Sequence, residues 1–234
     1  MCNFEKGRYI LKIVIINASP RTDGLTAAIL HGISNNLTER NVDVSYHDLG
    51  RLSLAQCLGC CSCYKTGYCV IDDDAEKISR AIAAADGIVL GTPTYASNVS
   101  GLMKVLIDRG HFVIEQLLRG KYCVTVATGE NYGSKDAGKI LDKLVLYSGG
   151  SLVERIVVNV PFNFIRLGAK TSPKIEGLVS KAGAKIYDAV RRQKKYPLQA
   201  LYHMIIFGLG IKPFVLRKGD KYQGVINKWK GENI

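Results

Sequence analysis

LKIVIINASPRTDGLT, residues Leu11–Thr26, joins three unlike segments. Ile13, Val14, Ile15 and Ile16 form a continuous β-branched run, the mark of a strand buried on both faces. Asn17–Ala18–Ser19–Pro20 breaks it into a short polar loop, and Leu25, Ala28, Ile29, Ile33 and Leu37 then repeat at helical spacing. A buried strand that turns into a helix leaves unpaired N–H groups at the helix start, where an anion can sit. Ser19, Thr22 and Thr26 add hydroxyl donors and Arg21 adds a full charge, so a phosphate suits the turn. The loop lacks the Gly-Lys-Ser/Thr ending of a nucleotide-hydrolase P-loop. An ordinary strand–turn–helix with a Ser-Pro turn is the plain alternative.

The pattern repeats along the chain. Val42–Leu49, Gly87–Leu90, Tyr122–Val126 and Leu152–Val160 read as further strands. Helical patterns separate them: Asp73 to Ala84, Ser100 to Leu118, a segment ending near Tyr147, and one opening at Ser172–Pro173 with a capping hydroxyl and an early proline. Five strands alternating with helices predict a doubly wound α/β domain over residues 1–195, with a flavodoxin-like parallel sheet in the order 2-1-3-4-5. Ligands in such sheets bind beyond the carboxyl ends of the strands. Polar loops Asn17–Thr26, Thr92–Asn98 and Thr128–Gly133 leave those ends, so all three face one edge. Residues 196–234 form an extension rather than an independent domain.

Composition narrows the function classes. The chain has 234 residues, 47% of them hydrophobic and 22% charged, as expected of a soluble globular protein. No apolar run approaches the roughly 20 residues that cross a bilayer. The Ile-rich N-terminal run contains Lys12 and lacks a small-residue cleavage site, so it reads as a strand and the expected location is cytoplasmic. Of the net charge of +12, eight units come from the segment beyond Val190, where ten Lys/Arg face only Asp220 and Glu232. The main domain is only mildly basic, which argues against nucleic acid as a partner.

NASPRTDGLT resembles the S-P-R-x-x-G-x-T phosphate loop of the flavodoxin-like NAD(P)H-dependent FMN reductases, and TPTYASNVSGLMKVLIDR resembles their second flavin loop and its helix. The likeness spans about residues 11–160. It implies that Ser19, Arg21 and Thr26 hold the FMN phosphate, with Thr22 beside them. It places Pro93, Thr94, Tyr95 and Asn98 along the ribityl chain and ring, and Thr128 with Gly129 at the ring's far edge. Members of that family usually carry asparagine where this chain has Leu25.

Five of the seven cysteines, Cys57, Cys60, Cys61, Cys63 and Cys69, lie within thirteen residues. In a chain without a secretory signal, such clustering favours metal or redox chemistry over disulfides. Cys57-x2-Cys60-x2-Cys63-x5-Cys69 lets one compact loop direct four sulfurs inward, and the long last spacer gives Cys69 slack to return to the same centre. The spacing is similar to the motif of the iron–sulfur flavoproteins, a branch of the same fold carrying FMN and a 4Fe–4S cluster, with Cys61 as an extra thiol. Unmetallated cysteines, as in many flavin reductases, and a structural zinc are the alternatives. His31, His47, His111 and His203 show no mutual metal spacing, and Asp72–Asp73–Asp74 reads as a dipole-favoured helix start.

The resemblance implies an FMN-dependent oxidoreductase that uses NAD(P)H or a ferredoxin-like donor, with a small-molecule acceptor. A non-enzymatic electron carrier or redox sensor is the alternative. The tail joins an apolar stretch, Leu198–Leu209, to a basic run from Lys212 to Lys230. It is expected to pack on its own domain or on a second copy in a homo-oligomer, in preference to a membrane surface.

Overall fold

Ile13–Ile16 lie at the heart of strand β1 (Lys12–Asn17), fully or nearly fully buried on both sides. The computed structural model describes residues 10–161, 172–232 and 234; Cys2 lies outside them. The remaining strands are β2 (Asp43–Asp48), β3 (Gly87–Tyr95), β4 (Asn98–Val99), β5 (Tyr122–Glu130) and β6 (Ser151–Val160). The sheet order is β2-β1-β3-β5-β6, all neighbours parallel, with β4 folded back antiparallel on β3. With the two-residue β4 set aside, this is the expected 2-1-3-4-5 order.

Strand residues alternate between two cores. Val14, Ile16, Ile88, Leu90 and Cys123 face α3 (Asp74–Ala84), α4 (Gly101–Arg109) and α6 (Ser134–Tyr147). Ile13, Ile15, Val89, Val124 and Val126 face α1 (Leu25–Thr38) and α7 (Pro173–Arg191). Burial on both faces explains why these strands are uniformly apolar rather than alternating.

Three local expectations change. The polar loop read as Thr92–Asn98 is mostly strand: β3 runs on to Tyr95, then reverses through Ala96 and Ser97. Both turn residues have positive φ, 49° and 59°, as a type I′ hairpin turn requires. The polar loop read as Thr128–Gly133 is likewise strand as far as Glu130. The helix read as Ser100–Leu118 breaks after Arg109, because His111 and Gln116 take left-handed conformations around the short α5 (Phe112–Glu115).

The tail is helical. It comprises α8 (Pro197–Ile205), a π-helical segment Ile206–Ile211, α9 (Lys212–Lys218), a 3-10 turn Gly219–Tyr222 and α10 (Gln223–Gly231). Phe207, Val215, Val225 and Trp229 form a third small core with Tyr64 and Ile114, so the tail packs on its own domain. Contrary to the sequence expectation, the helical run Pro197–Gly231 is long and apolar enough to cross a membrane by length and composition. A single lysine, Lys212, does not offset the surrounding Ile, Leu and Phe residues.

Candidate functional site

The carboxyl ends of β1, β3 and β5 surround a cavity of about 520 Å³, within the usual range for small-molecule sites. Ser19, Arg21, Thr26, Pro93, Thr94, Tyr95, Thr128 and Gly129 line it, brought together from three loops that are far apart in sequence. Thr22 and Asn98 are not among the lining residues; Asn98 instead turns its Oδ1 to accept from Val99 N at 2.8 Å. Gly24, Leu25, Ala96, Ser97, Glu130, Asn131 and Tyr132 complete the wall.

The first loop is braced from behind. Fully buried Asn17 accepts from Ser19 N at 3.0 Å and donates through Nδ2 to Asp48 Oδ1 at 2.6 Å. Ser19 Oγ donates to Arg21 O at 2.9 Å and accepts from Arg21 N at 3.1 Å, closing a tight turn. Helix α1 then begins at Gly24 with no side-chain cap and no acidic residue in its first turn. Its leading N–H groups and Arg21 therefore add positive ends to the cavity wall, the electrostatics an anion needs.

Hydroxyl contacts lock the three loops in register. Ser100 Oγ donates to Ala18 O at 2.7 Å, and Ser100 N donates to Thr92 Oγ1 at 2.9 Å. Thr26 and Thr128 share a buried 2.7 Å hydroxyl contact across the sheet. Thr94 Oγ1 donates to Ser134 Oγ at 3.2 Å. At Gly129 a Cβ would stand 2.5 Å from that same Ser134 oxygen, so the close approach needs glycine. Sequence reading missed Asn17, Thr92, Ser100 and Ser134 as parts of the site. Their signal was faint: polar residues at strand ends and a Ser before a helix.

The cysteine loop lies between β2 and α3. Cys57, Cys60 and Cys61 are exposed, Cys69 is half-buried and Cys63 is buried in the short α2 (Ser62–Thr66). Hydrogen bonds from the backbone and side chain of Ser62 hold the Cys60 thiol below its ordinary pKa. Burial would depress His111, but hydrogen bonds to Cys63 and Glu115 outweigh it and push its pKa up to about 10. Both ends of the loop meet at one buried ion pair. Arg109 Nη1 donates to Asp73 Oδ2 at 2.7 Å and to Ala55 O at 2.8 Å, while Nη2 donates to Asp73 Oδ1 at 2.9 Å. Asp73 also caps α3 by accepting from Ala75 N, in line with the helix-start reading. The thiol donor set suits a soft metal centre. Among the described residues, however, no group of three or more His, Cys, Asp or Glu side chains gathers closely enough to hold a metal ion.

Five parallel strands in this order, with a cavity where the order reverses, define a flavodoxin-like α/β protein. Solved structures agree on the fold. A flavone reductase superimposes with TM-score 0.62 at 15% identity, covering 80% of this chain and 66% of that one. An archaeal flavodoxin superimposes with TM-score 0.53 at 16% identity, covering 77% and 99%. The family described as NADPH-dependent FMN reductase matches residues 11–164, and the chain belongs to it as an FMN-dependent oxidoreductase. An iron–sulfur flavoprotein of Clostridioides difficile strain 630 is 32% identical over 226 residues, covering 95% of this chain and 99% of the relative. The FMN reductase (NADPH) of Escherichia coli K12 is 26% identical over 120 residues, covering 51% of this chain and 56% of that enzyme.

Proposed function

We propose that the edge cavity binds FMN and that the protein moves electrons from NAD(P)H or a ferredoxin-like donor to a small acceptor. The observation that carries this reading is the cavity itself, lined by three loops and entered by an uncapped helix start beside Arg21. When bound, FMN supplies the hydride and single-electron chemistry. The protein's residues then have a binding task. Arg21, Ser19 and the first N–H groups of α1 hold the phosphate, and Thr26 and Thr128 fix the loops on either side of it. Leu25 stands where relatives use asparagine, so phosphate binding leans more on backbone and Arg21. Exposed Tyr95 and Tyr132 flank the mouth, leaving an approach for a second substrate.

The cysteine loop would hold a 4Fe–4S cluster through Cys57, Cys60, Cys63 and Cys69. Its support is the all-thiol donor set, the spacing and the iron–sulfur flavoprotein names of the relatives.

Flavin titration of purified apoprotein tests the first part. FMN should bind more tightly than FAD, and Arg21→Ala should weaken FMN by about 10- to 150-fold, the value of a charge-assisted contact. Unchanged affinity in a folded Arg21→Ala protein would place the phosphate elsewhere. Iron and acid-labile sulfide analysis after anaerobic purification tests the second. Four of each per chain are expected, lost on serine substitution of any of the four ligands and retained in Cys61→Ser. Steady-state NADH or NADPH oxidation separates the enzyme from a carrier, which would turn over neither coenzyme by itself.

A further inference from the structure

Helix α8 is attached to the protein by its polar side. Gln199 Oε1 accepts from Leu152 N at 2.8 Å and Nε2 donates to Leu152 O at 2.9 Å, closing the β6 edge. His203 Nδ1 donates to Leu146 O at 3.1 Å. Leu198, Leu201, Tyr202, Ile205 and Leu209 follow each other at helical spacing and point away, with Leu198 and Leu209 each 81% exposed. A surface helix ordinarily does the reverse, burying its apolar stripe and wetting its polar one. The stripe continues along an open apolar groove lined by Val113, Ile114, Tyr147 and Phe214.

Charge identifies what covers it. Between Asp188 and Asp220 the chain has no acidic residue but seven Lys/Arg. They bracket the stripe, with Lys194 and Lys195 before it and Arg217 and Lys218 after it. Lys218 Nζ lies 5.3 Å from the ring centroid of exposed Phe214, so this ammonium group stays beside the apolar surface. A two-fold contact between copies would set this basic flank against itself, and like charges brought together oppose association. An anionic surface with an apolar interior satisfies both features.

We propose that the outer face of residues 194–218 is a docking surface for an anionic lipid bilayer, lying in the interface rather than crossing it. A crossing would tear Gln199 and His203 from β6 and α6 and pull Phe207 and Trp229 from the third core. The inference is independent of which cofactors the chain carries.

Cosedimentation of the full-length protein with vesicles tests it. Binding is expected to phosphatidylcholine–phosphatidylglycerol vesicles and at least about tenfold weaker to phosphatidylcholine alone, with release in high salt. Leu209→Glu and Leu198→Glu should each reduce binding at least about tenfold while circular dichroism stays unchanged, since both side chains are already in solvent. Failure to sediment with anionic vesicles, equal binding to both compositions, or retention through a high-salt and alkaline wash would overturn the proposal. So would light scattering showing a dimer that Leu209→Glu converts to monomer, because the stripe would then belong to a second copy.

Discussion

Asp73→Asn removes one charge from the ion pair that closes the cysteine loop while keeping its shape. Side-chain exposure is 1% for Arg109 and 4% for Asp73, so water does little to screen the pair. Breaking a buried pair by removing one partner costs about 3–5 kcal/mol, because the remaining charge is left uncompensated. Arg109 would keep the carbonyls of Ala55 and Ile71, and an asparagine oxygen can still cap Ala75 N. The low end therefore applies, about 3 kcal/mol, which for a chain of this size lowers Tm by about 6–12 °C. Thermal unfolding by circular dichroism at neutral pH reads it, with the exposed Asp72→Asn as control. Acid titration adds a second signature. Burial alone would raise Asp73, but Arg109 and the amides of Ala55 and Ala75 hold its carboxyl below the ordinary value of 3.8. A carboxyl depressed in the folded state stabilises above its unfolded pKa, and this stabilisation is lost as pH falls through the folded value. The gap between wild type and Asp73→Asn should narrow below about pH 4. A Tm loss no larger than that of Asp72→Asn would refute the clamp.

Other substitutions probe the cavity. Thr128→Val breaks the buried contact with Thr26 and should cost about 1–3 kcal/mol in denaturant unfolding; a neutral result would mean the hydroxyls do not brace the loops. Gly129→Ala pushes a methyl group against Ser134 and should cost about 1–3 kcal/mol and weaken flavin binding, both readable in one flavin-monitored melt. Ser97→Gly relieves a left-handed residue and should stabilise the apoprotein by about 1 kcal/mol; a loss of stability would show that the hairpin carries no strain.

The sheet was legible because burial on both faces forces whole strands to be apolar, as Ile13–Ile16 and Ile88–Leu90 display. The hairpin at Tyr95–Asn98 was not, since Ala96 and Ser97 lack the Asn-Gly signature of a turn with two positive φ values. The break between α4 and α5 escaped for another reason. Phe112 and Val113 continue the apolar spacing of Leu102, Val105 and Leu106, and only three-dimensional crowding exposes the break: a side chain at Gly110 would run into the Phe112 ring. In the cavity, residues with an identifiable ligand chemistry, such as Arg21 and Thr26, stood out in the sequence. Asn17, Thr92 and Ser100 act on other parts of the protein across 31, 8 and 82 positions, and such partners have no local pattern.

Helices α2 and α10 touch backbone to backbone, with Gly67 against Gly224 and Tyr64 stacked on Tyr222 at 4.8 Å, and Lys228 Nζ ties α10 to Glu115 Oε2 of α5 at 2.7 Å. This gives the two halves of the molecule different histories on the ribosome. The cavity needs only elements through α7, and chains fold from the N-terminus as they emerge. The cysteine loop gains its last wall only from α10, far later in the chain than the loop itself. Until the chain reaches α10, Tyr64 lacks its stacking partner Tyr222, so the cysteine loop reaches its final packing later than the cavity does.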